Sequence, residues 1–80
     1  MFIVYVLKSL KDNRFYIGQT NNILSRLRRH NEGRVRSTKY RVPLILVYSE
    51  NYASRSEAMA REKYLKSLNG NSTFKKIIGM

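Results

Sequence analysis

The sequence predicts a small α+β domain whose elements follow the order β-β-α-β-α-α, a small sheet with helices packed on it. Three observations favour this class. Two β-branched and aromatic runs lie close together near the start, a capped amphipathic segment follows them, and two further helical segments come after a third apolar run. A chain of 80 residues is expected to form one domain over 1–80.

The first two strands are expected to form a hairpin. The segment FIVYVL at 2–7 has no polar face, which is typical of a strand covered on both sides. The segment at 8–13 contains Ser, Asp and Asn and predicts a turn, and RFYIG at 14–18 predicts the returning strand. With these bounds, Tyr5 lies opposite Tyr16 on one face of the sheet.

The first helix is expected to begin after Asn21 or Asn22, either of which is a good N-cap, and to run to about Glu32. Gly33 then ends the helix. Its apolar stripe is predicted to consist of Ile23, Leu24 and Leu27.

The second half of the chain predicts one strand and two helices. LILVY at 44–48 indicates a third buried strand. Ser54 followed by Glu57 is a capping-box signature, so a helix is expected from there to about Leu68. NGNS at 69–72 interrupts it, and a short last helix carries Phe74, Ile77 and Ile78.

The charge of the chain indicates its class of partner. Sixteen Lys and Arg against five Asp and Glu give a net charge of +11. Such a field attracts polyanions, because each neutralised phosphate releases condensed counterions. No basic amphipathic helix with large exposed apolar groups and no membrane span is predicted, so nucleic acid is expected and a membrane is not. The lack of cysteine excludes disulfides and thiolate metal sites and fits a cytoplasmic location.

Two tyrosines and the helix that follows them are candidates for chemistry. Tyr5 and Tyr16 form either a packed aromatic pair or a pair of phenols of which one accepts a proton from water, which requires nearby cations. Arg26 and His30, four residues apart on one helix face, are expected to emerge where the helix meets the sheet. An arginine there can bind phosphate, whereas a histidine near a helix end can also be a plain surface residue.

Glu62 is the most informative acid. Ala58 precedes it by four residues and Leu65 follows it by three, so its carboxylate borders the apolar face of the helix. A carboxylate there needs a partner. That partner is either a local cation, such as Arg61, Lys63 or Lys66, or Mg²⁺, which commonly takes only one or two carboxylates. The other acids are expected at turns, ends or caps.

A dense run of basic residues predicts a surface for the nucleic-acid backbone. Seven cations with a single acid, Glu32, lie between residues 26 and 41, and Tyr40 is interleaved with them. Phosphate contacts carry no sequence information, so weak base specificity is expected. These basic residues are Arg26, Arg28, Arg29, Arg34, Arg36, Lys39 and Arg41.

The motifs in this order resemble the GIY-YIG nuclease superfamily, and in particular its small stand-alone members. Val4-Tyr5-Val6 is similar to the first motif and Tyr16-Ile17-Gly18 to the second, with Thr20 in the usual position after it. TNNILSRLRRHNEG resembles the motif helix of the family, and SEAMAREKYLKSL resembles the helix of its metal-binding glutamate. The resemblance covers about residues 2–68 and implies a small antiparallel three-stranded sheet flanked by helices.

The resemblance also implies roles for the candidates. It implies that one of Tyr5 and Tyr16 is the general base, with Tyr16 favoured, and that the other positions the water or the phosphate. Glu62 then holds a single Mg²⁺ or Mn²⁺. Arg26 balances charge in the transition state, His30 bonds a phosphate oxygen or assists proton transfer, and Thr20 belongs to the nucleic-acid-binding surface. A family asparagine has Asn71 or Asn69 as its candidates.

The resemblance therefore implies an endonuclease that hydrolyses DNA, in preference to RNA, with low sequence specificity. A monomer or a weak homodimer is expected. One such site cleaves one strand, so cutting a duplex needs either a dimer or two sequential events. The alternative is a non-catalytic module that binds DNA or structured RNA on the same scaffold, since charge and basic loop support both readings equally.

Overall fold

The computed structural model describes all of residues 1–80 and contains six elements in the predicted order. The elements are β1 (Phe2–Ser9), β2 (Phe15–Thr20), α1 (Ile23–Asn31), β3 (Leu44–Tyr52), α2 (Arg55–Ser67) and α3 (Ser72–Ile77). The strands form one antiparallel sheet in the order β2-β1-β3. The α+β class and the antiparallel three-stranded sheet are thus confirmed.

The central strand β1 is covered on both faces, as the absence of a polar face in its sequence predicted. The side chains from Val4 to Leu7 are at most 1% exposed. Val4 and Val6 belong to one apolar cluster, and Tyr5 and Leu7 belong to the other. This division follows from the alternation of side chains along a strand.

The two clusters place different helices on the two faces of the sheet. Ala58 and Leu65 of α2 pack with Phe74 of α3 against the face that carries Val4 and Val6. Helix α1 packs Ile23 and Leu27 against the opposite face, which carries Tyr5. The candidate tyrosine Tyr5 therefore lies under α1, not in the larger core.

The register of the β1–β2 hairpin differs from the predicted one. Tyr5 lies opposite Gly18, and Tyr16 lies opposite Leu7, so the direct pairing of Tyr5 with Tyr16 was wrong. The loop is shorter than predicted because β1 continues to Ser9, whose backbone N–H donates to the carbonyl of Arg14 at 2.9 Å. A shift of two residues preserves the face of every side chain, and both tyrosines still share one face as diagonal neighbours.

The third strand is an edge strand, not the buried strand that was predicted. It pairs only with β1, and Ile45 and Leu46 are 42% and 40% exposed. It also continues beyond Tyr48 to Tyr52. Glu50 therefore lies inside a strand, which corrects its expected place at a turn, an end or a cap.

The helix ends follow the local signals in the sequence. The side chains of Asn22 and Ser54 accept hydrogen bonds from backbone N–H groups in the first turns of α1 and α2, which confirms both predicted caps. Gly33 follows α1 with a φ of +74°, a conformation that glycine adopts without strain. Leu24, however, is 78% exposed and is not part of the apolar stripe. None of the helices has both the length and the apolar character that a membrane span requires.

Candidate active site

Four of the predicted site residues meet where α1 lies over the sheet. Tyr5 and Tyr16 lie on the covered face of the hairpin, with ring centroids 6.4 Å apart. His30 reaches them from the last turn of α1, and its ring lies 4.9 Å from that of Tyr16 and 6.0 Å from that of Tyr5. Arg26 stands one turn earlier on the same helix face and contacts Tyr5. The i, i+4 spacing thus aims both side chains of α1 at the two phenols.

A chain of hydrogen bonds connects these groups. The Nε of Arg26 donates to the Tyr5 hydroxyl at 3.4 Å. The same hydroxyl lies 3.0 Å from Nε2 of His30, and the Nδ1 of His30 lies 2.7 Å from the hydroxyl of Thr38. Tyr5, His30 and Thr38 are each at most 1% exposed. Water therefore has no access to these groups, and each must find its partners within the chain.

The count of donors and acceptors assigns the direction of these bonds. Arginine only donates, so the hydroxyl proton of Tyr5 has Nε2 of His30 as its one acceptor. His30 must then carry its proton on Nδ1 and donate it to Thr38. The Thr38 hydroxyl in turn donates to the carbonyl of Val35 at 3.5 Å. This assignment makes His30 a neutral imidazole whose Nε2 accepts the proton of Tyr5.

The electrostatics agree with that assignment. Burial, together with the smaller effect of the nearby charge of Arg26, lowers the pKa of His30 to about 4. Burial also raises the pKa of the Tyr5 phenol, although the hydrogen bond from Arg26 opposes the shift. At neutral pH the pair is therefore a neutral phenol that donates to a neutral imidazole.

Tyr16 is the phenol that remains available. It takes no part in the chain of hydrogen bonds from Arg26 to Thr38, and it is only partly buried. Tyr16 also lies close to the positive charge of Arg26. The hydrogen bond to Tyr5 makes the largest contribution that raises the pKa of this guanidinium, and Tyr16 makes a smaller one. Of the two tyrosines, only Tyr16 combines exposure to solvent with a cation close by.

Gly18 explains how the ring of Tyr5 fits across the neighbouring strand. A Cβ at this position would lie 2.5 Å from the Tyr5 hydroxyl oxygen and 2.7 Å from its Cζ. Both distances are far below van der Waals contact, so only glycine leaves room for the ring. The glycine of the second motif is therefore a packing requirement of the tyrosine in the first.

Glu62 lies on α2, on the face of the sheet opposite to α1 and close to the edge strand β2. Its carboxylate is 18% exposed and forms an ion pair with Lys66, one turn further along, at 2.7 Å. It lines a shallow depression of about 240 Å³ together with Gln19, Met59 and two lysines. The negative charge of Glu62 also raises the pKa of the Tyr5 phenol, and it is the smallest of the contributions that do so.

The donor set at Glu62 is a single carboxylate, which is compatible with one hard cation. No group of three His, Cys, Asp or Glu side chains is close enough to hold a metal ion. Mg²⁺ nevertheless commonly binds one carboxylate and takes its remaining ligands from water and phosphate oxygens. Lys66, whose side chain is 54% exposed, is the present partner of this carboxylate, and a cation bound there would have to displace it.

The predicted basic residues differ in their exposure and in their local partners. Arg28, Arg29, Arg36 and Lys39 are exposed, and Lys39 lies over the ring of Tyr40 at 4.9 Å. Arg34 pairs with Glu32 at 3.3 Å. Arg41 turns away from this group, and its Nε lies 3.4 Å from the Asp12 carboxylate at the β1–β2 turn.

The remaining candidates have local structural partners. Thr20 accepts a hydrogen bond from the N–H of Asn22 at 3.1 Å and so shapes the entry to α1. Asn71 caps α3 by accepting from the N–H of Phe74 at 2.8 Å. Asn69 donates to the carbonyl of Phe15 at 3.4 Å. None of the three approaches the phenols through the contacts described.

Thr38 belongs to the site but has no counterpart among the predicted residues. It lies in the basic loop and fixes His30 from the side opposite Tyr5. A threonine within a loop of arginines carries no pattern of its own. Its role depends on the path by which residues 33–43 fold back over α1, and this path is a tertiary property.

The sequence model of one protein family, described as the GIY-YIG catalytic domain, matches residues 1–76. The chain is also similar to three curated bacterial proteins. It is 43% identical to UPF0213 protein SH2523 of Staphylococcus haemolyticus over 92% of this chain and 90% of the relative. It is 43% identical to UPF0213 protein CPE1444 of Clostridium perfringens over 89% of this chain and 76% of the relative.

The third relative is UPF0213 protein YazA of Bacillus subtilis, to which the chain is 42% identical over 80% of its own length. The match spans 65% of that longer protein. The names of the three relatives state no activity, substrate or partner. No solved structure matches the chain significantly.

Proposed function

Because this chain belongs to the GIY-YIG catalytic domain family, we propose that it is a metal-dependent endonuclease. It hydrolyses phosphodiester bonds of DNA with low sequence specificity. One observation carries the proposal: the buried chain from Arg26 to Thr38 fixes Tyr5 as a neutral phenol and leaves Tyr16 as the accessible phenol beside a cation.

Tyr16 is the general base in this proposal. A phenol accepts a proton from water more readily beside a positive charge, and the guanidinium of Arg26 lies close to Tyr16. Tyr5 is excluded from this role because it is 1% exposed and its hydroxyl already donates to His30. Tyr5 instead holds Arg26 and His30 in place.

Arg26 binds the phosphate that undergoes attack. Its Nε donates to Tyr5, and the remaining N–H groups of the guanidinium can donate to phosphate oxygens. The guanidinium thereby stabilises the charge that develops on those oxygens. His30 acts through Tyr5, because both of its ring nitrogens are occupied.

Glu62 is the residue that would hold the divalent cation, Mg²⁺ or Mn²⁺. When bound there, such a cation supplies positive charge that stabilises the oxygen leaving the phosphorus. The single carboxylate, its partial exposure and the depression around it support this assignment. Lys63 and Lys66 line the same depression and add attraction for phosphate.

One observation favours the second candidate, a binding module without turnover. The Glu62 carboxylate already has a partner in Lys66, at a distance typical of a strong ion pair. If that pair persists when nucleic acid binds, Glu62 serves the stability of the helix and holds no cation. Both candidates predict binding, and only the nuclease predicts cleavage that requires a metal.

The test is cleavage of labelled single-stranded, duplex and branched DNA, and of RNA, in Mg²⁺, Mn²⁺ or EDTA. Tyr16→Phe and Glu62→Gln are compared with two matched controls. Tyr64→Phe removes an exposed phenolic hydroxyl that lines a different depression from that of Glu62, and Glu32→Gln removes one exposed negative charge. Binding is measured in parallel by fluorescence anisotropy in EDTA.

The nuclease assignment expects products that need the metal, a loss of at least about a hundredfold in both site variants and little change in both controls. Binding should survive in all four variants. Cleavage that persists in EDTA, or wild-type protein that binds every substrate and cuts none, refutes the proposal. The second of these results establishes the binding module.

A further inference from the structure

The largest cavity of the molecule lies away from the two phenols and is lined by cations from three separate segments. Its volume is about 520 Å³. Arg14 reaches it from the end of the β1–β2 turn, Arg41 from the loop before β3, and Lys75 from α3. These residues are 27 or more positions apart in the sequence, so the fold alone brings their charges to one place.

Apart from Phe15, the rest of the lining is polar and can donate to an anion. Asn13 and Asn69 contribute side-chain amides, and Gly70 adds exposed backbone with a φ of +83°. The one acid nearby is Asp12, which pairs with Arg41. Converging like charges repel one another unless an anion lies between them, so this cavity has the charge arrangement of an anion site.

The walls of the cavity are fixed by hydrogen bonds between the turn and the basic loop. The buried hydroxyl of Ser9 donates to the carbonyl of Arg41 at 2.6 Å and accepts from the N–H groups of Lys11 and Asp12. The N–H of Leu10 donates to the carbonyl of Pro43 at 2.9 Å. The backbone segments that carry Arg14 and Arg41 are therefore tied to each other by hydrogen bonds.

Arg41 has buried N–H groups that lack acceptors. Its Nε and Nη2 are buried and form no hydrogen bond, although Nε lies 3.4 Å from the Asp12 carboxylate. That contact has the distance of an ion pair without the geometry of a hydrogen bond. Buried donors without acceptors are unfavourable, so the guanidinium gains by turning towards an anion in the cavity.

We propose that this cavity binds a backbone phosphate of the nucleic acid at a distance from the bond that is cut. The cavity and the candidate active site are neighbours along β2, since Phe15 lines the cavity and Tyr16 is the next residue. Because successive side chains of a strand point to opposite faces, the cavity and Tyr16 lie on the two sides of the β2 edge. A nucleic acid that passes around this sheet edge can therefore contact both places.

This inference deepens the proposed function and rests on its nucleic-acid partner. It adds Arg14 and Lys75 to the binding surface, two residues that lie outside the basic run from 26 to 41. It also requires a substrate that extends past the cut site. A mononucleotide or a dinucleotide is too short to use both contacts.

The test compares two neighbouring lysines of α3 in binding experiments with EDTA, where no cleavage is needed. Lys75 and Lys76 are both exposed, but only Lys75 lines the cavity. The affinity of Lys75→Gln and of Lys76→Gln for a short DNA duplex is measured as a function of salt. Each lost phosphate contact lowers the slope of log K against log salt by about 0.9.

The expected result is a slope lower by about 0.9 for Lys75→Gln, and by no more than that for Arg14→Gln combined with Lys75→Gln, because the two cations contact the same phosphate. Lys76→Gln, which has the same net charge as Lys75→Gln, should leave the slope almost unchanged because Lys76 does not line the cavity. In parallel, the NMR signals of the Arg14 and Arg41 Nε–H groups should shift when the duplex is added. Inorganic phosphate at matched ionic strength should shift them much less.

Equal slopes for the two lysine variants overturn the inference. So does inorganic phosphate that binds the two arginines and is not displaced by the duplex, because the cavity then serves a small free anion. A protein that binds through the cavity but cuts nothing leaves this inference intact and refutes only the nuclease assignment.

Discussion

His30 gives a direct test of the buried site, because it is the one histidine in the chain. Burial lowers its pKa from 6.5 to about 4. The folded state therefore resists protonation that the unfolded state accepts. The contribution of His30 to stability is complete above pH 6.5, is lost as the pH falls towards 4, and is absent below that value.

The size of this effect follows from the two pKa values. Over its whole range the difference between 6.5 and about 4 corresponds to about 3 kcal/mol. Between pH 7 and pH 5 the free energy of unfolding should fall by about 2 kcal/mol. The carboxyl groups whose pKa values are lowered, Asp12 and Glu50, lose their contributions only at lower pH, below ordinary values of 3.8 and 4.5.

Two assays measure this effect. Urea unfolding at pH 7 and pH 5 should show the loss in the wild type and a nearly flat response in His30→Gln. The ring signals of His30 in NMR should stay those of a neutral imidazole protonated on Nδ1 down to about pH 5. A ring that titrates near 6.5 in the folded protein would falsify both the neutral imidazole and the assigned direction of the Tyr5 hydrogen bond.

Three further predictions test single contacts of the fold and the site. Gly18→Ala places a Cβ 2.5 Å from the Tyr5 hydroxyl and should destabilise the fold by about 2–3 kcal/mol, which lowers Tm by at least about 8 °C in thermal unfolding. The neighbouring Gln19→Ala should change the free energy of unfolding by no more than about 0.5 kcal/mol. Thr38→Val removes the acceptor for Nδ1 of His30, so it should lower kcat without raising KM and should shift the NMR signals of His30, whereas Thr38→Ser should restore both. A Val variant with wild-type kcat and wild-type His30 signals would contradict the assigned role. Arg61→Gln should destabilise by about 1–3 kcal/mol in urea unfolding, since it leaves the Glu50 carboxylate without its bidentate partner, and a smaller loss than that of Lys66→Gln would contradict this view.

Most of the secondary structure was predictable because its signals are local. Asn22 and Ser54 act on N–H groups three residues away, so their capping roles are readable from the sequence. The shared face of Tyr5 and Tyr16 was also predictable, because alternation along strands survives a shift of two residues. The exact register was not, because it depends on how Ser9 and the basic loop fix the turn.

The unpredicted features depend on contacts between distant segments. Thr38 contacts His30 only because the basic loop folds over α1. Glu50 was expected at a turn, yet it lies within β3 and accepts hydrogen bonds from Tyr48, Tyr52 and Arg61. Burial raises its pKa, but these donors lower the pKa overall. Neither the loop path nor the length of β3 has a marker in the local sequence.

The network around Glu50 anchors the helix that carries Glu62. Arg61 and Glu62 are consecutive residues of α2, so their side chains leave the helix in different directions. Arg61 is bound to Glu50 on the β3 edge by two hydrogen bonds of 2.9 and 3.0 Å. This ion pair anchors α2 to the β3 edge together with the buried Ala58 and Leu65, and Glu62 lines a depression with Gln19 of the β2 edge. Loss of the ion pair should therefore loosen the helix that carries the candidate metal ligand and weaken metal-dependent cleavage without removing any group that contacts the substrate.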